Sequence, residues 1–180
     1  ILDSGGNLKI KGLDVARSFI ILGKSTKGED IKVRAASCSF GYGPEDSYVV
    51  VNGEKYSTLT DSVTGGSRGM TLVVLNQDGA VIHRETYDTH KSSERSEALR
   101  EQIHTTIKEL DEGGVRYIIL FAHDEASYNL KETRDTIADL GGEAIWGLSY
   151  RDPYIFIGKV EKRNGEVIKT KLFENIGTSD

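Results

Sequence analysis

Val115-Arg116-Tyr117-Ile118-Ile119-Leu120-Phe121 is apolar at almost every position. A strand with one face in water alternates apolar and polar residues, because successive side chains point to opposite faces. This run does not alternate, so it reads as a central strand covered on both faces. The fold must therefore supply a packing layer on each side of it.

One layer is helical. Leu99, Ile103, Ile107 and Leu110 recur at a helix period, with Glu94, Arg95, Glu101, Gln102 and Lys108 filling the opposite side. Ser92 or Ser93 can cap the start, and Gly113-Gly114 is expected to end the helix. A second helix is expected from His123-Asp124-Glu125-Ala126-Ser127 onward, with Leu130, Ile137 and Leu140 inside and Gly141-Gly142 at its end.

The other layer is β. Val15–Leu22, Ile31–Phe40, Ser47–Val51 and Met70–Asn76 are rich in β-branched and aromatic residues. Asn52-Gly53 supplies the positive φ angles of a two-residue hairpin turn, so Glu54-Lys55-Tyr56 should return beside Ser47–Val51. Gln77-Asp78-Gly79 joins Met70–Asn76 to Ala80–Tyr87, and Asn164-Gly165 joins Tyr154–Val160 to Val167–Phe173. Ala144–Leu148 reads as one further strand. The order is β-rich first, then β-α-β-α-β-β, which is not regular βα alternation. The expected fold is a mixed α/β domain: a compact two-sheet sandwich with two covering helices. Residues 1–13, punctuated by Gly and Asn, read as a tail or connector, and residues 14–180 as a single domain. Without an initial Met, the chain reads as an excised or processed piece.

Several function classes are disfavoured. Twenty-three Lys and Arg against 28 Asp and Glu give a net charge of −5. No basic stripe stands out, since Lys24 to Arg34 is interrupted by Glu29 and Asp30, so no nucleic-acid partner is expected. No run approaches the ~18 apolar residues that span a bilayer, so no membrane insertion is expected. Cys38 is the sole cysteine, which excludes an internal disulfide; it reads as a small buried hydrophobe.

Catalytic signatures fail on context. Gly65-Gly66-Ser67-Arg68-Gly69 has the letters of a nucleophile elbow, but a strand follows the serine where a helix is required. Gly23-Lys24-Ser25-Thr26 resembles the end of a phosphate loop, but Ser18 stands where the first glycine belongs. Asp88, His90, His123 and Asp124 are candidate metal ligands without paired spacing. No cofactor, no metal and no enzymatic activity are expected. Two polar knots remain. Asp124-Glu125-Ala126-Ser127 stands at a strand's C-terminal end, where α/β folds place ligands, and it reads equally as helix capping. Tyr150-Arg151-Asp152-Pro153-Tyr154 reads as a turn or as part of a site.

Taken in order, these motifs are similar to those of the interleukin-like EMT inducer family (the ILEI, or GG, domain). Arg68-Gly69-Met70-Thr71-Leu72-Val73-Val74-Leu75-Asn76 resembles its RG…VLN signature. Asp88-Thr89, Asp124-Glu125-Ala126-Ser127 with Leu130, Leu140-Gly141-Gly142, Tyr150-Arg151-Asp152 and Phe156-Ile157-Gly158 follow at family-like spacing over roughly residues 31–160. The resemblance implies two sheets with helices outside. It extends to the stem domain of protein O-mannose N-acetylglucosaminyltransferase, a non-catalytic member that binds a glycan end. Carried over, it implies ligand contacts from Arg68, Asp124 and Arg151, flanked by Tyr150 and Tyr154 where that stem domain tends to carry tryptophan. An aspartate accepts from sugar hydroxyls, a guanidinium donates in a planar fork, and an aromatic face covers the C–H side of a pyranose.

The resulting expectation is a non-catalytic, carbohydrate-binding recognition domain of a larger surface or virion protein, outside the cell. Its partners would be a glycan or other polar ligand and neighbouring modules of the same assembly. The alternative is a structural adaptor domain of a phage tail fibre or similar microbial assembly, suggested by the texture of residues 2–10 and the absent disulfides. On that alternative, Arg68, Asp124 and Arg151 are an ion network that holds the fold without a ligand.

Overall fold

A computed structural model describes residues 8–10 and 15–177. Its centre is the apolar run: β8 (Val115–His123) is buried at every position but Arg116. On one side β8 pairs antiparallel with β6 (Gly69–Leu75), which pairs in turn with β7 (Val81–Tyr87). On the other it pairs antiparallel with β9 (Tyr154–Arg163), followed by β10 (Glu166–Gly177) and, parallel to β10, β1 (Leu8–Ile10). Apart from β1, the expected tail lies outside the described residues.

A second strand group comprises β2 (Val15–Lys24), β3 (Asp30–Cys38), β4 (Tyr48–Val51) and β5 (Glu54–Ser57), antiparallel throughout. A single parallel register pair, Cys38 with His123, joins it to the first group, so the ten strands form one open, mixed sheet. The expected mixed α/β class holds, dominated by sheet.

Two apolar clusters explain the double-sided burial of β8. On one face Ile118 and Leu120 pack with Leu72, Phe156 and the helical residues Leu99, Ile103 and Ile137. On the other, Ile119 and Phe121 pack with Val73 and Ile157 and with Ile31, Val33 and Val49 of the second group.

Local chemistry sets most boundaries. Asn52 and Gly53 take φ of 47° and 89°, and Asn164 and Gly165 take 52° and 76°, as their two-residue turns require. Helix α1 (Ser93–Lys108) begins where the Ser92 side chain accepts from the Arg95 N–H. It stops at Lys108 rather than at the expected Gly113, which lies in the turn into β8.

Two further expectations fail. The second helix, α2 (Thr133–Asp139), begins well after Asp124, because Asp124 and Lys131 hold φ of 58° and 46°, which interrupts a right-handed helix. Asp124 and Ser127 are therefore not its caps. Residues 143–147 form a 3-10 turn and not a strand. The Arg134 guanidinium donates to the carbonyls of Ile145 (2.5 Å), Leu148 (3.0 Å) and Ser127 (3.2 Å), occupying acceptors a strand would offer to a neighbour. Among the described residues no helix is long and apolar enough to cross a membrane.

Candidate functional site

Sheet register gathers the polar motifs at one end of the molecule. Gly69 pairs with His123, so Arg68 and Asp124 leave neighbouring strands side by side. Phe121 pairs with Ile155, which brings the loop before β9, with Arg151, to the same end. β3 also finishes here, and the Asp124 N–H donates to the Cys38 carbonyl at 3.0 Å. Gly69 permits the crowding: at φ 102°, a Cβ there would lie 2.1 Å from the Tyr87 carbonyl oxygen.

The expected triad resolves into two ion pairs. Arg68 Nε meets Asp88 Oδ1 at 3.3 Å. Asp88 is buried and also accepts from the Thr64 hydroxyl (2.8 Å) and the Lys91 N–H (3.0 Å). Arg151 Nε faces Asp124 Oδ1 at 3.8 Å, beyond hydrogen-bond reach, and among the described residues that buried nitrogen has no hydrogen-bond partner. The Arg151 guanidinium lies against two rings, 3.9 Å from the centre of Phe40 and 4.8 Å from that of Tyr150. Such contacts are worth about 0.5 to 2 kcal/mol each. Arg151 and Asp124 both hold left-handed backbone conformations, at φ 61° and 58°. For side-chain-bearing residues these cost about 1 to 3 kcal/mol, a strain that clusters at binding sites.

Beside this pair lies a second loose contact. Glu125 is buried; its Oε1 accepts from the Ser127 N–H (2.6 Å) and hydroxyl (2.7 Å). Among the described residues its Oε2 has no hydrogen-bond partner; it lies 3.7 Å from His90 Nδ1, which also lacks one there. The Tyr128 ring is tilted against His90 at 5.7 Å.

Beneath the rim, Asp61 accepts from the N–H groups of Asp88 (2.7 Å) and Val63 (2.7 Å) and from Arg95 Nε (2.8 Å). Burial pushes the Asp61 carboxyl upward; the Asp88 N–H, the Arg95 guanidinium and the Val63 and Thr64 N–H groups outweigh it and hold the carboxyl below its ordinary value. This network fixes the β7 end that carries Asp88.

Tyr154 is a correction. Expected as a flanking aromatic, it is 0% exposed, and its hydroxyl donates to Glu174 Oε2 at 2.5 Å. Burial, with the Glu174 carboxylate beside it, pushes the phenol well above its ordinary value. It is a core residue, because the first position of β9 points inward. Tyr150, in the loop before it, is 56% exposed.

The other candidates have structural partners. The Ser67 hydroxyl bonds the Thr60 hydroxyl at 2.9 Å, and β6 follows directly. His123 is buried with Nδ1 on the Ser47 hydroxyl at 2.7 Å, and burial pushes its imidazole down. Among the described residues, no three His, Cys, Asp or Glu side chains are grouped to hold a metal ion. Cys38 is buried as expected, its thiol on the Asp46 carbonyl at 3.2 Å. Phe40 and the His90–Glu125 contact are site features missed by sequence reasoning. The sequence placed Phe40 at the end of the expected strand Ile31–Phe40; β3 in fact ends at Cys38, which leaves Phe40 exposed in the loop beyond it.

A family model described as interleukin-like EMT inducer matches residues 68–162, a stretch that opens on Arg68 and includes Asp88, Asp124 and Arg151. Over 94 residues the chain is 31% identical to the cell migration-inducing and hyaluronan-binding protein of Mus musculus. That alignment covers 51% of this chain and 6% of the mouse protein.

Proposed function

Because the chain belongs to the interleukin-like EMT inducer family, we propose that it is a non-catalytic recognition domain that binds a carbohydrate at the Asp124–Arg151 end of the sheet. The observation that carries this reading is the Arg151 guanidinium. It is flanked by Phe40 and Tyr150, it faces Asp124 at 3.8 Å, and among the described residues its buried Nε has no hydrogen-bond partner. A sugar offers matching groups: hydroxyls that accept from the part-exposed Arg151 guanidinium and donate to the part-exposed Asp124, and a C–H face for the exposed Tyr150 ring.

The mouse relative's name, with its hyaluronan binding, supports a glycan as the ligand class and a setting outside the cell. The charges here nearly balance, since Arg68 faces Asp88, Arg151 faces Asp124 and His90 lies against Glu125, which suits neutral hydroxyl-rich groups. Tyr154 drops out of the ligand set, and Phe40 takes its place. The expected sandwich belongs to this reading; the apolar cluster shared by the two strand groups supports two facing layers. So does a single domain over residues 14–180.

Arg68 favours a second role. Its partner Asp88 is buried and held by two further donors, so Arg68 anchors the β7 end rather than the ligand. Calorimetric titration with a panel of neutral oligosaccharides and hyaluronan fragments tests the proposal. Binding of at least one, weakened about tenfold or more in Arg151→Ala, is expected. Failure of the whole panel to bind, or unchanged affinity in Arg151→Ala, overturns it.

A further inference from the structure

The geometry points to a second binding surface, on the outward face of β2–β5, for a linear acidic polysaccharide. Register places Phe19, Arg34, Val50 and Lys55 in one row across the four strands. Lys32 lies two residues along β3 from Arg34, and Arg17 two residues along β2 from Phe19, on the same face. With ~6.8 Å between same-face residues and ~4.8 Å between strands, the four cations span roughly 15 Å.

Arg17, Lys32, Arg34 and Lys55 are all exposed, and among the described residues none forms an ion pair. The acids lie at the margins: Asp30, paired with Lys24 at 2.9 Å and also stabilised by Lys32, Glu29 exposed beside it, and Glu54 exposed next to Lys55 in sequence. A shallow trough of about 650 Å³ opens beside the row, lined by Phe19, Lys32, Arg34 and Val50, with Glu29 and Asp30 at its margin. In a chain of net charge −5, four cations without a central carboxylate make a locally positive field.

The aromatic groups select the kind of polyanion. Phe19 is 69% exposed, an open ring face for the C–H side of a sugar. The Tyr48 ring is occupied by Lys55 Nζ, 4.5 Å from its centre. One open ring gives no stacking series for successive bases, which sequence-tolerant binding of single-stranded nucleic acid uses. The surface is a sheet face, whereas an added peptide strand needs a free edge. An acidic sugar chain, with carboxylates or sulfates spaced along it, meets both the cation spacing and the single ring. The Arg151 end takes in Phe40, past the Cys38 end of β3, whereas this face centres on Lys32 and Arg34 farther back along that strand.

The test titrates the protein at low and physiological salt with three probes of matched charge: a heparin octasaccharide, an oligo-dT and a polyglutamate peptide. Amide chemical shifts locate the contact. The expected result is preferential binding of the octasaccharide, weakening as salt rises, with shifts confined to β2–β5. Arg34→Glu and Lys32→Glu should each weaken it about tenfold, and Phe19→Ala several-fold, while Lys108→Glu on α1 has no effect. No binding at low salt, equal or tighter binding of either other probe, shifts elsewhere, or indifference to Arg34→Glu overturns the inference. The substituted positions are exposed, so an unchanged amide spectrum verifies the fold of each variant.

Discussion

Asp61 shows how a single buried carboxylate can organise a site that it does not line. It collects the Asp88 N–H, two loop N–H groups and the Arg95 guanidinium, and Arg95 reaches on to Glu85 at 3.0 Å. Removing the charge strands Arg95 in a largely buried position. Asp61→Ala is therefore expected to cost about 3 to 5 kcal/mol, read from urea unfolding. The same carboxyl gives a pH dependence. Its folded-state pKa lies below the ordinary value, so the folded state binds its proton less readily than the unfolded chain. Its stabilisation is complete above the ordinary carboxylate pKa, near ~4, and is lost as pH falls through the lower folded value. Unfolding midpoints measured from pH 6 to pH 2 should fall more steeply in the native chain than in Asp61→Asn. At the rim, by contrast, Arg151 and Asp124 are held apart, and the structure there depends on backbone conformation more than on their pairing.

At the scale of elements, the segment after β8 departs most from its sequence pattern. Leu130, Ile137 and Leu140 have a helical period and are all buried, yet only Thr133–Asp139 is helix. The period reported which residues face inward; two positive-φ residues decided where the helix forms. Arg134 then fixes the chain beyond α2 by donating to three carbonyls. Arg134→Ala should release the 3-10 turn and destabilise the protein by about 2 to 4 kcal/mol, with hydrogen exchange accelerated first in residues 143–148. The central strand behaves as its composition requires. Phe121 is fully buried between β8's neighbours and the second strand group, and Phe121→Ala should cost about 3 to 5 kcal/mol in thermal or urea unfolding.

Across the whole molecule, one sheet carries two surfaces of different charge character. The end defined by Arg151 and Asp124 is nearly balanced; the outward face of β2–β5 is positive. The sequence by itself determined the doubly buried strand, the start and inner face of helix α1 and the three hairpins, while the nearness of Asp124 and Arg151 was what the family resemblance implied. Those features follow from local causes: side-chain period, turn residues that accept positive φ, and short motifs in fixed order. Tertiary structure alone decided the partners. It paired Arg68 with the buried Asp88, moved Tyr154 into the core, and brought Phe40 against Arg151 from more than a hundred residues away. It also assembled Arg17, Lys32, Arg34 and Lys55 into one face that no linear stretch displays as a basic stripe. The reason is physical. Period and turn chemistry are fixed by neighbours a few residues away, whereas a charge or ring finds its partner through sheet register and burial, which exist only once the strands have paired.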